Sequence, residues 1–131
     1  MFRRFIPVLL LATLAACGGV VDPSKNQTET FSGTVPVGGV GPLHQFSVSK
    51  TGEISAVVTT FTPTLSGGTL FGVIYGQVIS NQCSAISFNR FGVTGATAIS
   101  GAITPGTYCI QVVDELFFRV DEQYVLTVSH P

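Results

Sequence analysis

The sequence predicts an all-β fold, a sandwich or barrel of about seven strands. Three observations carry this. From Thr28 onward no stretch sets its apolar residues at helical spacing. Val, Ile, Thr and Phe fall instead in short runs, several of them alternating with period two. Gly and Pro interrupt those runs at regular intervals, as turns between short strands require.

The chain starts with a different kind of segment. Arg3 and Arg4 are followed by an apolar run over 5–16, broken only by Pro7 and Thr13, with Ala15 and Ala16 before Cys17. A basic start, a short apolar stretch and a small-residue exit form a secretory signal peptide, 1–16. The run is too short for a membrane span, which needs ~20 apolar residues. Residues 17–27, turn-rich and polar, read as a tether, and 28–131 as one β domain.

Within that domain the elements follow in order. Residues 29–35 make the first strand, with Phe31 and Val35 on one face. The stretch PVGGVGP is a loop. Residues 44–49 alternate with His44, Phe46 and Val48 on one side, and Lys50-Thr51-Gly52 turns the chain. Residues 53–61 place Ile54, Ala56 and Val58 inward. After TPTLSGG, residues 69–79 form a long apolar strand with Gly72 and Gly76 as places to bend. Residues 81–95 read as a loop carrying Cys83, Phe88 and Phe91. Residues 96–103 form a strand, Thr104-Pro105-Gly106 a turn, and 107–113 a strand with Tyr108, Ile110 and Val112 on one face. Residues 114–122 are a connection, and 123–129 close the domain with Tyr124, Leu126 and Val128 aligned.

Two stretches resemble known families. Leu14-Ala15-Ala16-Cys17 resembles the lipobox of bacterial lipoproteins, in which the cysteine is lipidated and becomes the first residue of the mature chain. The resemblance implies lipidation of Cys17 and attachment to the membrane through the lipid. Gly18 stands where an Asp would suggest inner-membrane retention, which points to the outer membrane. The stretches TPGTYCIQVVD and EQYVLTVSHP resemble the bacterial pre-peptidase C-terminal domain, and HQFSVSKTGEISAVVTT is similar to its earlier hairpin. That family implies an antiparallel β-sandwich of jelly-roll type, attached to secreted or surface proteins, some of which bind polymers. Its acidic D-x-D-x-x-L strand is replaced here by TLFGVIYG, so no calcium site carries over from that position.

Composition narrows the function classes. Without residues 1–16, four basic residues face seven acidic ones, a net charge of −3. No basic patch exists, so nucleic acid is not an expected partner. Cys83 and Cys109 remain as an even pair in an exported chain and predict a disulfide across 26 positions. Such a loop closure is worth roughly 3–3.5 kcal/mol. With Tyr108, Ile110 and Val112 facing the core, Cys109 points outward, so the bridge is expected on the outer face.

Candidate chemistry is sparse. His44 at a strand start and His130 at a fraying terminus read as structural or surface residues, and no G-x-S-x-G, HExxH, P-loop or dinucleotide motif is present. No catalytic residue and no cofactor is expected. Asp114, Glu115, Asp121 and Glu122 could face one another and suit calcium, or could form a solvated loop. Leu116-Phe117-Phe118 cannot all point inward. Either the loop folds over the end of the sandwich, or a ring stays exposed as a binding surface. Residues and resemblances together imply a monomeric, lipid-anchored, non-enzymatic binding or adhesion module of the bacterial cell envelope, with a polymer or protein ligand. A structural envelope lipoprotein with no dedicated ligand is the alternative, and a secreted hydrolase accessory the third.

Overall fold

The computed structural model describes residues 19–131. The readings made for residues 1–16 and for Cys17 lie outside the described residues. Eight strands form: β1 (Gln27–Val35), β2 (His44–Val48), β3 (Gly52–Thr62), β4 (Phe71–Ile79), β5 (Gln82–Gly92), β6 (Thr97–Ile103), β7 (Gly106–Val113) and β8 (Glu122–His130). They build two antiparallel four-stranded sheets, ordered β1-β8-β3-β6 and β2-β7-β4-β5. Apart from the β4–β5 hairpin, each connection passes from one sheet to the other. This is the jelly-roll order, one hairpin-like ribbon folded over itself, which leaves β1, β6, β2 and β5 at the sheet edges.

Period-two burial sets the core. Ile54, Ala56 and Val58 of β3, Tyr108, Ile110 and Val112 of β7, and Tyr124, Leu126 and Val128 of β8 are all buried. Phe46 and Val48 face them from β2, and Phe71, Val73 and Tyr75 from β4. Phe61 lies among rings, 4.9 Å from Phe71, 5.6 Å from Phe118 and 6.3 Å from Tyr124. Burial raises the phenol pKa values of Tyr75 and Tyr124 to about 12.

The strand count exceeds the expected number by one because residues 82–92, read as loop, are β5. Ser80 and Asn81, both at positive φ, form the tight turn that doubles the chain back. β5 is a largely exposed edge strand, with only Cys83, Phe88 and Asn89 partly covered and Gly92 buried, so its burial does not alternate. It also bulges opposite Tyr75 and Gly76 of β4. Without a burying face, selection does not write a period-two pattern into the sequence.

The bulge explains the disulfide. Cys83 on β5 and Cys109 on β7 are bonded, with Cα atoms 5.7 Å apart, although β4 runs between their strands. Gly76 makes this possible. It pairs with Cys109 on one side and Ala85 on the other, and a Cβ there would run into the carbonyl oxygen of Ser84. The missing side chain lets β5 fold over β4 and reach β7. The bridge joins two strands rather than a loop and a strand, and Cys109 is fully buried beneath it on the outer face.

Two further expectations change at the chain ends. Residues 21–26, part of the stretch read as a tether, bond to the rest of the fold. Val21 N–H donates to the Thr51 carbonyl at 2.8 Å, Pro23–Lys25 form a 3-10 turn capped by Asp22, and β1 starts at Gln27. Asn26 Nδ2 donates to the Glu53 carbonyl at 2.8 Å and to Ser129 Oγ at 3.2 Å. His130 does not fray. It is wholly buried, stacks on Phe46 at 5.1 Å, and holds Glu29 Oε2 at 3.2 Å. His44 is half-buried, stacked on Phe31 at 4.9 Å and hydrogen-bonded to the Tyr124 hydroxyl at 2.6 Å.

Two outcomes follow from this packing. Gly76→Ala is expected to destabilise the domain by about 3 kcal/mol or more, because the clash is with backbone that the disulfide holds in place. Urea unfolding of the oxidised protein measures it. Desolvation lowers the pKa of His44 below its ordinary 6.5, so the unfolded chain takes up this proton more readily than the folded one. Stability is therefore expected to fall as pH drops through that value and below it. His44→Gln keeps a hydrogen-bonding group but does not titrate, so its unfolding midpoints from about pH 7 to pH 5 should fall less steeply than those of the wild type.

Candidate functional site at the loop end

The strands sort their connections to opposite ends. One end carries residues 19–26, the turns 49–51, 80–81 and 104–105, and Pro131. The other carries the longer loops 36–43, 63–70, 93–96 and 114–121. Most exposed large apolar side chains of the described residues belong to that second set: Val37, Val40, Val93, Leu116, Phe117 and Val120. Apolar exposure concentrated on one end marks a contact surface better than the same residues scattered.

Asp114 organises the loop 114–121. It is buried, and its Oδ1 accepts from the N–H groups of Phe117 at 2.8 Å and Phe118 at 3.0 Å. Its Oδ2 accepts from Gly38 N–H at 2.7 Å, which ties this loop to 36–43. Asp121 adds a second tie, accepting from Val37 N–H at 3.0 Å. Charge-assisted bonds to three backbone donors hold Leu116 at φ 70°, a left-handed conformation unfavourable for Leu. The result is a fixed apolar tip in which Leu116 is 84% and Phe117 54% exposed.

Phe118 is not part of that surface. It is buried and packs edge-on against Phe61 at 5.6 Å, closing the core at this end. Within the triplet Phe118 caps the core, while Leu116 and Phe117 remain exposed.

The four acidic residues of this segment do not converge on one point. Asp114 and Asp121 are spent on backbone donors. Glu115 meets Arg90 at 3.6 Å, and Arg90 lies 4.7 Å over the Phe88 ring. Glu122 points inward from the first position of β8 and is buried. Among the described residues no three His, Cys, Asp or Glu side chains form a group that could hold a metal ion. The calcium arrangement therefore fails on geometry, because these carboxylates serve four separate positions.

Beside the tip, loops 63–70 and 114–121 enclose a groove of about 380 Å³. Thr64, Ser66 and Thr69 line one wall, Phe117 and Arg119 the other, and Glu122 also lines it. Glu122 Oε2 has no hydrogen-bond partner, and burial raises its pKa above the ordinary 4.5. Sequence reasoning named Glu122 but missed the groove. Its far wall is TPTLSGG, whose Ser, Thr and Gly content reads equally well as a plain turn. The lone valines of loops 36–43 and 93–96 were also missed, since single apolar residues among glycines carry no periodic signal.

No protein-family model matches the chain, and no curated protein is significantly similar to it.

The two phenylalanines are expected to separate in chemical denaturation. Phe118→Ala should cost ~3–5 kcal/mol as a core truncation. Phe117→Ala should cost about 1 kcal/mol or less.

Proposed function

We propose that the protein is a lipid-anchored, non-catalytic binding module of the bacterial cell envelope. The observation that carries this reading is the separation of the two ends. Val21 is hydrogen-bonded at one end, and the apolar tip projects from the other. Val21 lies four chain steps beyond Cys17, a reach of at most about 14 Å. Strands of about ten residues span roughly 30 Å. A lipid on Cys17 would therefore hold the turn end near the bilayer and present Leu116 and Phe117 away from it.

The signal-like start and Leu14-Ala15-Ala16-Cys17 support the anchor. The likeness of TPGTYCIQVVD and EQYVLTVSHP to pre-peptidase C-terminal domains supports an accessory role on an exported protein. The two histidines support a non-catalytic reading, since His44 is engaged with Tyr124 and His130 with Glu29 and Phe46. The burial of Phe118 favours a second reading, a structural envelope lipoprotein, because it removes one ring from the contact surface.

The test has two arms in a bacterial host. Mass spectrometry of the N-terminal peptide should find lipid on Cys17, and the Cys17→Ser chain should leave the membrane fraction. An unmodified peptide overturns the anchor. In the second arm the full chain should bind isolated envelope polymer saturably, and Leu116→Ser with Phe117→Ser should abolish this. Unchanged binding in that variant overturns the loop-end site, and no binding by either chain favours the structural lipoprotein.

A further inference from the structure

We propose that the groove between loops 63–70 and 114–121 binds a primary ammonium group, carried by a lysine side chain or an amino sugar, with Glu122 as its counter-ion. This rests on reading the loop end as the presenting surface. Glu122 is 4% exposed, and its Oε2 makes no hydrogen bond. Among the described residues it forms no ion pair, although Arg119 lines the same groove and is exposed. A buried carboxylate without a partner is costly, and an apolar residue of similar size would fit between the sheets without that cost. Keeping a carboxyl here makes physical sense when something else supplies the missing partner.

The groove favours a cation over a neutral donor. An ammonium carries three N–H donors. Glu122 can take one, and Thr64, Ser66 and Thr69, which line the same space, carry hydroxyls for the others, those of Ser66 and Thr69 lying 3.5 Å apart. Phe117, half-exposed, also lines the groove, and an aromatic ring there favours a positive charge. At about 380 Å³ the groove admits one side chain or one sugar ring, and no larger folded element. The net charge of −3 for the chain without residues 1–16 attracts a cation as well.

NMR titration of the full chain in neutral detergent tests this with matched probes. These are Nα-acetyl-lysine amide against its Nε-acetylated form, and glucosamine against N-acetylglucosamine. At least one amine should shift the resonances of Thr64, Thr69 and Glu122, with its acetylated counterpart about tenfold weaker or absent. The amine that binds more tightly identifies the source. Glu122→Gln, nearly isosteric, should weaken that amine about tenfold. Arg119→Ala should leave it unchanged or tighter. Equal binding of acetylated and free probes, no binding of either amine, full binding by Glu122→Gln, or loss of binding in Arg119→Ala overturns the assignment. The matched pairs are read on the wild type, so the outcome does not depend on how a variant folds. The titration does not require the lipid. Either outcome of the titration therefore leaves the Cys17 anchor to be decided by the N-terminal peptide alone.

Discussion

Two sheets face each other across a single layer of side chains, and that layer is open at both ends. The rest of the structure answers this constraint. Along the strands alternation suffices, and Val58, Leu126 and Val112 are fully buried without special help. At the ends alternation stops, and other groups must exclude water. At the turn end His130 stacks on Phe46, and Pro131 packs against Gly52. The short 3-10 turn docks there through Asn26. At the loop end Phe118 drops onto Phe61, and Asp114 fixes the loop that delivers it.

Closing the loop end determines what it exposes. A loop that turns one phenylalanine inward must send its neighbours out, because adjacent side chains diverge. The burial of Phe118 and the exposure of Phe117 are thus one conformational fact, and the left-handed turn at Leu116 sends that side chain out as well. Asp114 supplies the energy for it. Three backbone N–H groups on one carboxylate offset the left-handed Leu116, whose cost is of order 1 kcal/mol. The inward position of Glu122 has the same origin. It shares the inward phase of Tyr124 and Leu126, so the pleat aims a carboxyl between the sheets.

The sequence was most legible where one face of a strand is buried. β3 and β8 carry clean alternation over most of their length, and the inward residues read there are buried; in β7 the inward Tyr108, Ile110 and Val112 are buried, but so are Cys109 and Val113 of the opposite phase. β5 was illegible for the opposite reason. Its interior is mostly exposed without alternation, and its turn is Ser80-Asn81 rather than the stronger Asn-Gly signal. The disulfide was readable from cysteine parity, but the route across β4 needed the absence of a side chain at Gly76, which only the pairing register reveals. Leu116-Phe117-Phe118 announced that something must be exposed, without saying which ring. The role of Asp114 could not be read, because a carboxylate that accepts from backbone N–H groups leaves no mark in residue spacing.

The pairing of β1 has a mechanical meaning. β1 is an edge strand held through nine residue pairs to β8 alone, and residues 19–26 lead directly into it. A pull on that leader, with the loop end held fast, acts along the strand axis. The hydrogen bonds of an antiparallel ladder stand across that axis. They are loaded together in shear and do not open one after another like a zip. The same strand pulled sideways would peel from one end, a rung at a time. The domain therefore resists tension between its two poles far better than it resists tension across them.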